Sequence, residues 1–457
     1  MHNNEIYVGL DIGTAMIKVI VVETQSSQVN VIGVGNVPSQ GVKRGVIIDI
    51  NETAAAIKAA VAQAATKANI QIDEVVAGIP ANQLKIEQIQ GMTAIVNETK
   101  RISYDDVREV ARQALISNLP PEREIIDVLP SEFIVDGFDG ISDPYDMVGV
   151  RLEMRGIAFT GPKTITHNVR MAVERAGLKL REFVVTPLAV GRTALNNGEQ
   201  DFGTILIDMG AGQTTAAVIH DHQLKFITVD QEGGEYITRD ISTVLNTSYE
   251  YADKAKRDYG CADSTLTSEQ NEFLIESVGQ REPMRVSEKY LSEIIEARVD
   301  QIFSKLFKQL QPTGALEMPG GIVLTGGSSL LGGVQELLQQ MFGMNVRIEI
   351  PSQIGIRHPS YMAGFAIARY AAAQSQTERV VKEVIFGNQL TTAQQDQPVL
   401  EKERKHGFFS LNNENEEKHQ MIANGNDENA MEEDDFQHEP QKNVKDKVKN
   451  FIANFFD

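Results

Sequence analysis

The chain has 457 residues, a formal net charge of −20, 42% hydrophobic and 23% charged residues, and one cysteine, Cys261. That length exceeds what a single hydrophobic core usually serves, so two or more domains are expected. The negative charge argues against a nucleic-acid partner bound through broad positive charge, and a lone cysteine excludes an intramolecular disulfide framework and a thiolate zinc site.

No basic segment followed by an apolar run opens the chain, and nowhere do 18 apolar residues run together. A cytoplasmic protein without secretory signal or spanning helix is expected. Residues 7–22 (YVGLDIGTAMIKVIVV) read as strand, tight turn and strand, with Asp11, Gly13 and Thr14 in the turn and Lys18 in the outgoing strand. A further alternating strand is predicted at 29–37, an Ala-rich helix at 51–69, and a short buried strand at 75–79.

From 84 the texture changes. Strands are predicted at 84–96, and a helix at 103–118 with Ser103 as N-cap and Asp106 three residues on. Extended chain follows at 124–135, a loop at 136–145, and a strand at 151–160. This reads as a small α+β insertion between two parts of the first domain. A helix at 164–176 and a strand at 182–187 lead to residues 205–220 (ILIDMGAGQTTAAVIH). There the first design returns: strand, then a turn built on Asp208, Gly210, Gly212, Gln213, Thr214 and Thr215, then strand.

Small and hydroxyl residues in such turns let backbone N–H groups approach an anion closely. Either hairpin alone is ordinary turn chemistry. The pair, about two hundred residues apart, points to an internal duplication with one phosphate-binding hairpin per half. Lys18 can neutralise phosphate charge. Asp11 and Asp208 cannot favour bare phosphate, so they are assigned to Mg²⁺ through its water shell.

Further on come Gly233-Gly234, helices at 236–245 and 249–259, a polar stretch at 262–279, and a long helix at 287–310. A buried strand at 320–324 runs into Thr325-Gly326-Gly327-Ser328, placed where a ligand meets the carboxyl end of a strand. Helices at 331–341 and 361–373 follow. Asp253 and Lys256, three apart on a helix, suit ribose and adenine or form a solvated surface pair.

These features in this order resemble the actin/Hsp70/hexokinase superfamily. Within it, GLDIGTAMIK at the start, the insertion, LIDMGAGQTT, DKAKRDYGCA (253–262) and VLTGGSSLLGGV (323–334) are similar to the FtsA family of bacterial cell-division proteins. The resemblance implies an α/β, actin-like two-lobed fold with an inserted α+β subdomain. Its expected parts are a first actin-like subdomain (1–83 and 166–200), the insertion (84–165), a second actin-like subdomain (201–235 and 306–386) and a smaller one (236–305). It also implies ATP and Mg²⁺ in the cleft, the glycines and Ser328 among the cofactor-binding residues, and self-association into filaments. The expected partners are the C-terminal peptide of the tubulin-like FtsZ on the smaller subdomain, with Arg298 facing it, and later division proteins. A small-molecule kinase of the same superfamily and an actin-like scaffold of type IV pilus assembly are the alternatives. Related ATPases carry a glutamate that positions the attacking water; here the matching stretch is Val185-Thr186-Pro187, so slow or absent hydrolysis is expected.

Residues 391–439 are rich in Gln, Asn, Glu and Asp, and 387–441 read as a disordered acidic linker. At 442–457 an amphipathic helix is predicted, with Val444, Val448, Phe451, Ile452, Phe455 and Phe456 on one arc and lysines along its edges. It is too short to span a bilayer and suits lying in the headgroup region, so attachment to the cytoplasmic face of the membrane at the division septum is expected.

Overall fold

The computed structural model describes residues 5–25, 28–116, 119–279 and 281–395. The six apolar residues of the predicted terminal helix, Val444, Val448, Phe451, Ile452, Phe455 and Phe456, lie outside the described residues. The chain divides into two units after Asn388, and every strand among the described residues lies in the first unit.

The first half of that unit opens with strands β1 (Glu5–Ile12), β2 (Met16–Gln25) and β3 (Gln28–Pro38), then a small hairpin of β4 (Val42–Lys43) and β5 (Val46–Ile47). In the first hairpin Asp11 stands opposite Lys18. On β2, Ile17 and the run Val19–Val22 are fully buried, because helices pack on that strand from more than one element. The result is a continuous apolar run rather than alternation. Helix α1 (Ile50–Ala68) starts where the Asp49 side chain accepts from Asn51 and Glu52 N–H, and ends at Asn69 in the left-handed conformation. Strand β6 (Glu74–Ile79) then pairs parallel with β1.

The insertion comprises β7 (Lys85–Ala94), α2 (Tyr104–Ala114), β8 (Arg123–Val135), β9 (Phe138–Ile141) and β10 (Arg151–Pro162), in sheet order β7-β10-β8-β9. Ser103 and Asp106 form a reciprocal capping box on α2. The chain returns through α3 (Lys163–Arg175), β11 (Lys179–Val185), α4 (Thr186–Ala194) and α5 (Asn197–Phe202).

The second half repeats the first. It contains β12 (Thr204–Met209), β13 (Thr214–His220), β14 (Gln223–Asp230), α6 (Gly234–Val244), α7 (Tyr249–Tyr259), β15 (Glu272–Ile275), β16 (Met284–Ser287), α8 (Glu288–Leu310), β17 (Ile322–Thr325), α9 (Val334–Phe342) and β18 (Val346–Ile348). The two large sheets run β3-β2-β1-β6-β11 and β14-β13-β12-β17-β18. Each is an antiparallel meander of three strands followed by two parallel ones. The duplication read from two turns therefore extends to whole sheets.

The chain ends differently from expectation. Sequence groups residues 306–386 with the second half, but α10 (Met362–Ala373) packs on β1, β2, β6 and α4 of the first. Helix α11 (Gln376–Gln395) packs Val380, Val381, Val384 and Ile385 into the core of the insertion. It also continues past 387, where linker is expected.

A buried charge fixes α11 in place. Lys382 Nζ lies 2.8 Å from Asp127 on β8 and 3.7 Å from Glu182 on β11, with Asp127 only 1% exposed. Burial alone would discharge Lys382, but the facing Asp127 and Glu182 carboxylates outweigh it and hold its pKa above the ordinary lysine value. Replacing Lys382 by Met leaves Asp127 buried and unpaired, an expected loss of about 3–5 kcal/mol of stability. Urea unfolding of the variant checks this; an unchanged midpoint contradicts it.

Candidate functional site

The turn between β1 and β2 closes with Gly13 N–H donating to Met16 O at 3.2 Å, and that between β12 and β13 with Gly210 N–H donating to Gln213 O at 3.0 Å. The two turns meet: a Cβ placed on Gly212 would lie 2.5 Å from Thr14 Oγ1. Beside this contact is a cavity of about 270 Å³. Asp11, Gly13, Thr14 and Lys18 line it from the first half. From the second come Asp208, Gly210, Gly212, Gln213 and Thr215, with Gly326, Gly327 and Ser328 from the loop after β17.

That loop is seated by register and by the absence of side chains. Thr325 lies opposite Asp208 in the parallel β12–β17 pair. Gly326 then turns away at φ +93°, where any Cβ would collide with the Asp208 carboxylate. Ser328 Oγ donates to Gly210 O at 3.1 Å, which ties the loop to the second turn. Gly233 packs against the carbonyls of Gly210 and Ala211, and Gly234 N–H donates to Gly210 O at 3.0 Å. Both glycines thus buttress the turn from behind rather than line the cavity.

Three other predicted residues also sit outside the cavity. Thr214 is fully buried and its hydroxyl donates to Glu232 O at 2.9 Å. Lys256 Nζ donates to Gly234 O at 3.0 Å and Thr238 Oγ1 at 2.6 Å, and pairs with Asp253 at 2.9 Å. Asp253 and Lys256 are therefore more than a solvated pair: they hold the start of α6.

Arg298 does not face outward. It is 2% exposed, its Nε and Nη2 donate to the Asp240 carboxylate at 2.5 and 2.9 Å, and its Nη1 donates to Glu232 at 3.0 Å. Its donors are consumed inside the second half, so the expectation of an arginine presented to an acidic peptide is corrected. Asp240 and Glu232 lie 58 and 66 residues away in sequence, beyond the reach of a local pattern.

Asn36, Thr186, Pro187 and Ser360 also line the cavity. Asn36 and Ser360 escaped the sequence reading. Asn36 sits near the end of β3 without a motif, while Ser360 could have been found as the serine two residues before helix α10.

Charge dominates the chemistry of the site. Lys18 Nζ donates to Asp11 at 3.2 Å and is 9% exposed. Burial, then the neighbouring negative charge of Asp11, pushes Asp208 up to about 6, with Lys18 opposing. Two carboxylates thus face one cavity, with the Lys18 cation paired to Asp11. No group of three or more His, Cys, Asp or Glu that could cage a metal occurs among the described residues. The Asn36 Oδ1 and Gln213 Oε1 acceptors are buried without partners. Such a set fits a hydrated Mg²⁺ carried in on phosphate better than a dehydrated cation held by protein alone.

Paired meander-plus-parallel sheets, each contributing an anion-type turn to one cleft, define an actin-like protein with an inserted α+β subdomain. A sequence model described as "Cell division protein FtsA" matches residues 205–366, and one described as "SHS2 domain inserted in FTSA" matches 81–160. The cell division protein FtsA of Enterococcus hirae is 52% identical over 400 residues, covering 87% of this chain and 90% of that one. Its counterpart in Enterococcus faecalis is 47% identical over 457 residues, covering 100% of both chains. Among solved structures, a PilM-PilN type IV pilus biogenesis complex shares the fold at 17% identity and TM-score 0.55, covering 80% of this chain and 99% of that one. The chain belongs to the FtsA family of bacterial cell-division proteins. No helix among its described residues is long and apolar enough to cross a membrane.

Proposed function

We propose that the chain binds ATP with Mg²⁺ in the cleft between its halves and, as a filament-forming subunit, attaches the FtsZ ring to the cytoplasmic membrane at the septum. The observation that carries the nucleotide reading is the meeting of two equivalent turns, with Asp11 and Asp208 facing one cavity. In this reading Gly13, Thr14, Gly210, Gly212 and Gln213 surround the phosphates, Lys18 offsets their charge, and Asp11 and Asp208 hold the metal's waters. Gly326, Gly327 and Ser328 approach the nucleoside side, and Asp253 and Lys256 fix the helix behind it.

Thr186 occupies the position where a water-orienting carboxylate is wanted, so turnover is slow and nucleotide acts as a sensor of subunit shape. The FtsZ peptide is assigned to residues 236–305, with Arg298 supporting that region from inside. Later division proteins are recruited to the assembled filament. One short amphipathic helix binds a membrane weakly, and polymerisation strengthens attachment through avidity.

Co-sedimentation with FtsZ and anionic liposomes, with and without ATP, tests this reading. Deleting residues 444–457 is expected to leave FtsZ binding intact and to remove the protein from the liposome pellet. Undiminished liposome binding by the truncated chain would refute the anchor.

A further inference from the structure

The β4–β5 hairpin belongs to the first half, yet its tip touches the second half beside the phosphate-lining turns. First-half amides hold it in place: Asn82 Nδ2 donates to Arg44 O at 3.1 Å and Asn168 Nδ2 to Ile47 O at 3.2 Å. At the tip, Gly45 N–H donates to Thr14 Oγ1 at 2.9 Å. Gly45 has φ +73° and lies flat on the Gln213 side chain, where any Cβ would collide with the amide. Arg44 reaches further. Its Nε donates to the Tyr236 hydroxyl at 2.6 Å, with the guanidinium 5.6 Å from the ring centroid.

Tyr236 is well fixed on its own side. It lies near the start of α6, two residues beyond Gly234, and is 6% exposed. The Arg298 and Arg239 guanidinium groups also face its ring, at 5.7 and 5.2 Å. The contact therefore joins an anchored hairpin of one half to an anchored ring of the other. Any motion that parts the two turns must break it.

We propose that the β4–β5 hairpin is a clasp: Arg44 on Tyr236 and Gly45 on Gln213 keep the halves shut over the phosphate end of a bound nucleotide and set its release rate. The proposal rests on the nucleotide reading of the cleft. Arg44 is a positioning residue here, since it touches neither cavity-lining carboxylate and acts through the closed state. Its exposed side chain makes it removable without emptying a core.

The test is stopped-flow release of a fluorescent ATP analogue with Mg²⁺ from the full chain. A charge-assisted hydrogen bond lost only on opening predicts that Arg44→Ala releases nucleotide about tenfold faster, with association within about twofold of the unmodified protein. Tyr236→Phe keeps the ring and loses the hydroxyl, so a smaller acceleration of about threefold is expected. The double variant should match Arg44→Ala alone, because both changes remove one contact. Gly45→Ala, which drives a methyl into Gln213, should also speed release. Unaltered thermal midpoints of Arg44→Ala and Tyr236→Phe without nucleotide would separate clasp loss from unfolding. Release at the original rate by Arg44→Ala and Gly45→Ala, from a protein that binds nucleotide, overturns the clasp. Additive effects of Arg44→Ala and Tyr236→Phe overturn the Arg44–Tyr236 pairing. No binding by the unmodified chain overturns the nucleotide reading and the clasp with it.

Discussion

Replacing Asp208 by asparagine is expected to weaken Mg²⁺–ATP binding by about 10- to 100-fold and to make the ligand-free chain more stable. The affinity figure follows from the role assigned to the residue, a carboxylate that orders water on a metal. The stability effect follows from the charge. Asp208 is raised from an ordinary value of 3.8 to about 6, by burial first and the Asp11 charge second. The folded chain therefore binds this proton more tightly than the unfolded chain does. Stability is lost as pH rises from about 4 to about 6 and does not return above that. A shift of that size corresponds to about 3 kcal/mol, an upper figure for what the neutral amide could restore at neutral pH.

Binding should have the opposite pH trend. A divalent cation favours the ionised carboxylate, so affinity should climb between about pH 5 and 7, and the asparagine variant should lose that slope. Calorimetric titration with Mg²⁺–ATP across this range, with thermal melts of the ligand-free proteins, measures both. A variant that binds as tightly as the original would remove Asp208 from the metal's surroundings. One that is also less stable would remove the charge argument.

The meeting of the two turns that carry Asp11 and Asp208 was legible in outline from sequence. Asp208-x-Gly210 and Asp11-x-Gly13 recur because the same strand–turn–strand unit was built twice, and the matching sheet orders follow from that repeat. Local patterns carried these elements because their chemistry is local: turn residues set turns, and apolar runs mark strands covered by neighbours. Placement of α10 was not legible. From Met362 to Ala371 every position except Ala363 and Arg369 is buried, so no polar stripe tells which half the helix covers. Thr214 misled for a different reason. In a turn of polar and small residues, strand alternation decides which hydroxyl faces the cavity, and Thr215 rather than Thr214 does so. Arg298 shows the same limit for charge, since a basic residue on a helix reads as exposed until its acidic partners are found.

Thr186→Glu is expected to raise ATP turnover by about 100-fold or more. Thr186 lines the cavity as the first residue of α4, which lacks a side-chain cap and has proline next. A carboxylate there suits the positive end of the helix, so the substitution is tolerated by the backbone. The missing element is a group that orients and deprotonates water, worth about 10²–10⁴-fold where it is supplied. Glutamate brings both oxygen acceptors and charge. Its acidity will depend on Mg²⁺, because Asp11 and Asp208 already share the cavity and a third carboxylate without a cation would favour its protonated form. Thr186→Gln separates the two contributions: it can orient water but cannot take the proton, so its turnover should stay near that of the unmodified chain. Phosphate release under saturating Mg²⁺–ATP distinguishes these cases. If Thr186→Glu binds nucleotide and turns over no faster than Thr186→Gln, then the residue at position 186 does not set the rate of hydrolysis. The restraint would then lie in how tightly the two halves close, because water that cannot enter a shut cleft gains nothing from a base.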